Sequence, residues 1–365
     1  MRFCKVVMKK AVIIFLSLVI VFTFILPVSA MAEDILSPVD EITEQIDSIL
    51  DDYDIGFDIS DMDSLSLTEL IERIKNHFIS HIDAPLKILC SVFIVIICST
   101  LTNNAVSKST DIYNMVCVMT AVTVIAPQLI SVFNETLYTI QVGSSFILVF
   151  VPLFTAISVI SGGFTSAGVY HMMMLGASEL IVKLSESYLL PVLGVISAFA
   201  VTGSVFPSTS LDSLVNLLKK TVTWGISITM SLFVGFVTLK CTITGKADGV
   251  AAKTAKMLVS GFVPIVGGAV SDAYSTVRGS FDVINGAVGA VGIIAIAMIM
   301  LPKIIEIFVY RIVMWVGSAV ADIFSADAIL KLLKSFDSGL AIAQSILICY
   351  GVIFILCSAI LMQTF

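Results

Sequence analysis

The sequence contains few charged residues. Only 13% of its 365 residues are Asp, Glu, Lys or Arg, and 58% are hydrophobic, whereas soluble domains average about 25% charged residues. A water-soluble protein of this size needs much more polar surface than these residues supply. The composition therefore excludes a soluble globular fold and predicts that most of the chain faces lipid or other buried helices.

Several motifs typical of enzymes are absent as well. The sequence has no P-loop, no G-x-S-x-G and no dinucleotide fingerprint, and its seven cysteines include no C-x-x-C pair. His77 and His81 are four residues apart, but a metal site would need a third ligand. We therefore predict no enzyme activity, no cofactor and no metal site, and the lack of a basic patch argues against nucleic-acid binding.

Residues 1–32 have the three parts of a secretory signal peptide. A basic start precedes an uncharged apolar run at 11–26, and Pro27 and small residues then lead to Ala30. We expect cleavage after Ala30 or Ala32; the alternative is a retained first span, because the apolar run is slightly long. N-terminal sequencing of the membrane-extracted protein should return Met31 or Glu33, and an intact Met1 would contradict cleavage.

Acidic residues are concentrated in residues 33–84. Fifteen of the 27 acidic residues lie here, beside only Arg73 and Lys75. Isoleucine and leucine recur at helical spacing in two short stretches, which are too short to form a core of their own. We predict an extracytoplasmic helical segment that lies against the membrane or a partner.

Residues 85–365 consist of apolar runs separated by short polar breaks. Because a spanning helix needs about 20 apolar residues, and the runs are too long for barrel strands, we predict an all-α, polytopic helical bundle with seven to ten spans. The candidate spans are 86–106, 112–133, 137–160, 168–186, 188–206, 222–241, 257–277, 284–302, 304–324 and 339–362.

The distribution of lysines conflicts with a strict count of ten spans. The count places Lys219, Lys220 and Lys331 in the cytoplasm, as the positive-inside rule requires, but it places Lys240 and Lys246 outside. Either one earlier run does not cross, or residues 245–268 form a re-entrant or interfacial segment.

The chain also contains an internal sequence match. Phe150-Val151-Pro152-Leu153 resembles the sequence 112 residues later, at 262–265, and a second proline follows each at similar spacing, at Pro191 and Pro302. The pattern suggests a duplication of 110–206 and 222–324, an arrangement common in transport proteins. The alternative is a chance recurrence of F-V-P in a chain rich in Phe and Val.

Some charged residues interrupt the apolar runs. Glu179, Lys183 and Glu186 share one helix face, and Glu306 and Arg311 form a second group. Charges at membrane depth are costly and usually face a cavity or each other. One interpretation is an ion or proton relay; the other is an ion-paired stripe near a helix end, with Lys183 reaching the interface.

One stretch resembles a known family. Thr254-Ala255-Lys256, Phe262, Pro264, Gly267, Asp272-Ala273 and Thr276-Val277 are similar to the signature of the stage III sporulation protein AE family. The order of parts also resembles that family: a signal peptide, an acidic extracytoplasmic region, and a polytopic domain with Ser161-Gly162-Gly163 in its first half.

The resemblance implies a function in endospore formation. It implies a permease-like component of a channel complex in the outer forespore membrane, on the mother-cell side, with other membrane proteins and a separate ATPase as partners. The alternatives are a stand-alone secondary transporter, using Glu179 or the charges near Glu306 and Arg311, and a scaffold without a conduit. We place the candidate functional region in the glycine-rich stretch 245–292, at Thr254, Lys256, Pro264, Gly267, Gly268 and Asp272.

Overall fold

The computed structural model describes residues 83–105, 110–205, 212–262 and 267–363. The described residues form seven α-helices, and a π-helical turn at Ser185–Leu189 joins the third to the fourth. The helices are α1 (Asp83–Ala105), α2 (Thr110–Ile160), α3 (Phe164–Leu184), α4 (Leu190–Val205), α5 (Asp212–Phe262), α6 (Gly267–Ile323) and α7 (Asp327–Gln363). The predicted all-α fold is confirmed. The predicted signal peptide and all but the last two residues of the acidic segment 33–84 lie outside the described residues, and Asp83 and Ala84 begin α1.

Six stretches within the described residues are long and apolar enough to cross a membrane. They are Asp83–Leu101, Met115–Ile160, Phe164–Gly203, Ser213–Ala251, Ser275–Ile323 and Asp327–Met362. The longest has 49 residues, which corresponds to about 74 Å of helix at 1.5 Å per residue. The hydrocarbon core of a bilayer is about 30 Å thick, so the longer helices exceed the length of a single crossing.

Several predicted spans merge into longer helices. Runs 112–133 and 137–160 both lie in α2, and runs 284–302 and 304–324 both lie in α6. Runs 168–186 and 188–206 form one element through the π turn. The structure therefore provides six candidate crossings within its described residues, where the sequence suggested seven to ten, because short polar breaks do not end these helices.

The predicted span at 257–277 is divided between two helices. Helix α5 continues to Phe262 and α6 begins at Gly267, so residues 245–262 extend α5 and form no re-entrant turn. Pro152 lies inside α2, whereas its counterpart Pro264 lies outside the described residues. The predicted duplication remains a prediction.

Two tight turns reverse the chain between long helices. After α2, the N–H of Gly162 donates to the Val159 carbonyl at 2.9 Å, and the N–H of Gly163 donates to the Ser158 carbonyl at 3.0 Å. Gly162 has φ +95°, the left-handed conformation that favours glycine in a Schellman cap. Ser325 has φ +54° after α6 and forms an equivalent cap.

A column of phenylalanines on α2 forms the centre of the bundle. Phe146, Phe150 and Phe154 are each fully buried, and successive ring centroids are 5.4 Å apart. A fourth phenylalanine, Phe354 of α7, packs against the first two at 5.9 and 5.8 Å. Rings four residues apart lie on one helix face, so α2 presents a continuous aromatic ridge to α6 and α7.

Glycines on α6 pack against this aromatic ridge. A Cβ at Gly292 would overlap the Phe150 ring, and one at Gly289 would lie 2.5 Å from the sulfur of Met362 and 3.1 Å from Phe154. Small residues allow membrane helices to approach closely. Within the glycine-rich stretch 245–292, Gly289 and Gly292 thus pack tightly, whereas the Cβ positions of Gly279 and Gly286 are open in the described part of the chain.

Candidate functional site

Polar side chains interrupt the long apolar helices near their midpoints. Glu135 lies about halfway along Met115–Ile160, and the charges at 179–186 lie about halfway along Phe164–Gly203. Contacts between helices bring most of these groups together. We call this set the polar belt, and it comprises Glu135, Gln141, Glu186, Lys303, Glu306, Arg311, Asp337 and Gln344.

The most buried charge of the belt is Lys303 on α6. Its Nζ pairs with a carboxylate oxygen of Glu135 on α2 and with Glu306 Oε2 at 2.9 Å. The Lys303 side chain is 7% exposed, that of Glu306 is 14% exposed and that of Glu135 is 51% exposed. A buried ammonium is costly unless it is paired and hydrogen-bonded, so these two carboxylates make its burial possible.

A second group lies five to eight residues further along α6. The Nε of Arg311 donates to Asp337 Oδ1 at 2.9 Å, and its Nη1 donates to Gln344 Oε1 at 2.6 Å. The guanidinium carbon also lies 5.1 Å from the ring centroid of Trp315. These contacts hold α7 against α6, because both partners of the guanidinium lie on α7.

Gln344 of α7 contacts α6 at two points. Its Nε2 donates to the carbonyl of Ile304 at 3.4 Å, one residue after Lys303. Its Oε1 accepts from Arg311. Polar contacts of the belt thus join α2 to α6 through Glu135 and Lys303, and α6 to α7 through Arg311.

The charges on α3 occupy a different position. Lys183 pairs with Glu179 on the same helix, and their side chains are 71% and 68% exposed. Glu186 accepts a hydrogen bond from Gln141 Nε2 of α2 at 2.8 Å. Lys183 lies in the last turn of α3, which ends at Leu184, and the chain continues through the π turn into α4. The two interpretations of these charges, an ion or proton relay and an ion-paired stripe near a helix end, remain predictions.

The candidate functional region at the α5–α6 junction remains a prediction. Thr254 is exposed on α5, and its Oγ1 donates to the Val250 carbonyl at 2.9 Å. Pro264 lies outside the described residues. Lys256 lies within α5, and Gly267, Gly268 and Asp272 lie within α6, in segments where the description is limited to the backbone.

Polar contacts near this junction hold α5 and α6 against the first half of the chain. Asp248 of α5 accepts the backbone N–H groups of Thr165 and Ser166 at 3.1 and 2.9 Å. It therefore caps the N-terminus of α3, where carboxylates are favoured by the helix dipole. Ser158 of α2 donates to Asn285 Oδ1 of α6 at 2.8 Å, and both residues are buried.

Sequence reasoning found part of the belt. Glu306 and Arg311 were candidate charges, and the structure pairs each of them with another helix or a neighbouring lysine. Glu135, Lys303 and Asp337 were missed. A single acid within a 46-residue apolar stretch was the available signal for Glu135, since an isolated charge there needs a partner.

The belt can act on the bundle in two ways. Paired charges across three helices can lock the helices in register, and the same groups can exchange partners if the helices move. Among the residues that the structure describes, no group of three metal-ligating side chains occurs. The paired charges give the belt candidate roles that are ionic and conformational.

Comparisons with known proteins identify relatives of this chain. The profile of the family described as Stage III sporulation protein AE (spore_III_AE) matches residues 55–364. The chain is 25% identical over 232 residues to a protein of Bacillus subtilis (strain 168) named Stage III sporulation protein AE. This alignment covers 62% of the chain and 57% of that relative. No solved structure matches the chain.

Proposed function

This chain belongs to the stage III sporulation protein AE family, and from that premise we propose that it is an integral membrane component of the channel complex between mother cell and forespore. Its general character follows from the family and the fold: it is a multi-pass membrane protein of sporulation. The finer assignment is a permease-like, non-catalytic subunit in the outer forespore membrane. It works with other membrane proteins and a separate ATPase.

The family match over most of the chain is the observation that carries this proposal. The polar belt supports it, because a helical bundle with paired charges at mid-length can accommodate a helix rearrangement driven by a partner. The sequence contains no nucleotide fingerprint. In this proposal the energy is supplied by the separate ATPase.

Sporulating cells provide the first test. A strain without the gene should engulf the forespore and then fail to express a late forespore reporter, and the full-length chain should restore it. Affinity purification of a tagged, functional chain from sporulating membranes should recover an ATPase and further membrane proteins. A deletion strain with normal late forespore expression would contradict the proposal.

A reconstitution experiment separates the channel subunit from the stand-alone transporter. Liposomes containing only this chain and a trapped pH-sensitive dye should show no proton uptake above that of empty liposomes. Uptake by wild-type chain that disappears with Glu306→Gln would favour the transporter and would remove the need for partners. A scaffold is favoured instead if variants of the belt that accumulate normally all support sporulation.

A further inference from the structure

We propose that the outer face of α3 binds a second copy of this chain. This face is formed by Gly168, Met172, Gly176, Glu179 and Lys183. The residues are three or four positions apart, so they follow one side of the helix. The proposal concerns self-association and stands apart from the proposed channel.

No described part of the chain covers this face. Met172 is 79% exposed, and the side chains of Glu179 and Lys183 are 68% and 71% exposed. At Gly168 and Gly176, no described atom lies within 4 Å of the position that a Cβ would occupy. The face thus has open space at two glycines and an ion pair at one end.

This face is unfavourable both within the membrane and at its surface if no protein covers it. If the Glu179–Lys183 pair lies at membrane depth, an ion pair faces hydrocarbon, which is energetically unfavourable. If the pair lies at the membrane surface, an apolar flank of the helix lies in water. That flank is residues 164–178, where Phe164 and Met172 are 70% and 79% exposed, or residues 187–203. Protein cover removes both costs.

This face carries one negative and one positive charge, so the same face of a second copy can pair with it. Glu179 and Lys183 are one turn apart, so two parallel copies can place each lysine one turn from the other copy's glutamate. A helical lysine points back towards its own N-terminus, which is the direction of that glutamate. The glycines on the same face allow the two helices to approach closely where they cross, and a two-fold axis brings identical positions together.

Oxidative cross-linking in native membranes tests the proposal. The full-length chain, with its seven cysteines replaced by alanine, carries one cysteine at Met172 or at Gly176. Leu239→Cys on α5 is the control, because it is 64% exposed on a different helix. Both α3 positions should give a covalent dimer several-fold more abundant than the control. No dimer, or equal dimer at all three positions, would overturn the proposal.

Charge exchange tests the nature of the partner. Glu179→Lys, added to the Met172→Cys chain, should reduce the dimer several-fold because it opposes like charges. Adding Lys183→Glu restores a pair of opposite signs and should restore the dimer, since both copies change together. If the dimer is not restored, the charges of the partner did not change together with those of this chain, and self-association would be refuted.

The remaining outcome is a water-lined surface. If a membrane-impermeant thiol reagent modifies the cysteine at Met172 fully while no dimer forms, the face lines an aqueous cavity and the proposal fails. Expression outside sporulation keeps this test separate from the channel proposal, because the dimer is expected without any sporulation partner.

Discussion

Replacing Gly292 with leucine should abolish sporulation. A Cβ at this position already overlaps the ring of Phe150, and that ring is fully buried in the aromatic column. Overpacking a filled core costs typically about 1–3 kcal/mol, and more where the neighbour cannot move. Phe150 is held on both sides by Phe146 and Phe154, so we expect a destabilisation at the upper end of this range. Spore counts and immunoblots of membrane fractions measure the effect.

Gly225→Leu is the matched control. Gly225 lies on the exposed side of α5, and no described atom lies within 4 Å of its Cβ position. This variant makes the same chemical change within a helix and should sporulate normally. In addition, Phe150→Ala should partly rescue Gly292→Leu, because it vacates the space that leucine needs. Normal sporulation by Gly292→Leu would contradict the tight α2–α6 packing.

Gly351 shows why burial has to be known before a control is chosen. From sequence alone, a glycine in the final helix is an obvious site for a harmless substitution. The structure buries Gly351, with its Cβ position 3.7 Å from Met300. A Cβ there makes ordinary van der Waals contact. The exposed Gly176 and Gly225 differ from Gly351 in nothing that the local sequence reveals.

The sequence predicted the fold class and failed on helix boundaries. Apolar runs of 20 or more residues require helices in a membrane, so the predicted span 86–106 agrees closely with α1. Helix α7, however, begins 12 residues before the predicted span 339–362. The candidate spans 112–133 and 137–160 leave a break that contains Glu135, a residue that is unfavourable inside a span unless it is paired. In the structure Lys303 neutralises it from 168 residues away, and α2 continues. Local sequence cannot reveal such a partner.

The same limit applies to the candidate site. Glu306 and Arg311 were identifiable because each interrupts an apolar run, but their partners were not. Arg311 pairs with Asp337, which lies in a part of the sequence that resembles an ordinary polar turn. For Glu179 and Lys183 the spacing alone predicted the pair, since i and i+4 always share a face.

Replacing Lys303 with methionine should cause the second large loss of function. The substitution keeps an unbranched side chain that is one atom shorter and removes the charge that compensates Glu306, which is only 14% exposed. Breaking a buried pair by removing one partner costs about 3–5 kcal/mol, so the variant should accumulate poorly and fail to sporulate. Lys240→Met on the exposed side of α5 is the control, because exposed charges contribute little.

A double variant separates structural from functional roles of this cluster. Lys303→Met with Glu306→Met removes the uncompensated carboxylate and should restore the protein level, since replacing both partners of a buried ion pair by hydrophobic residues of similar volume is often neutral. If sporulation also returns, the Lys303 cluster serves only to hold α6 in place. We expect normal accumulation without sporulation, because the proposed function requires charges that can exchange partners when the helices move. Full recovery would contradict that role and would favour the scaffold.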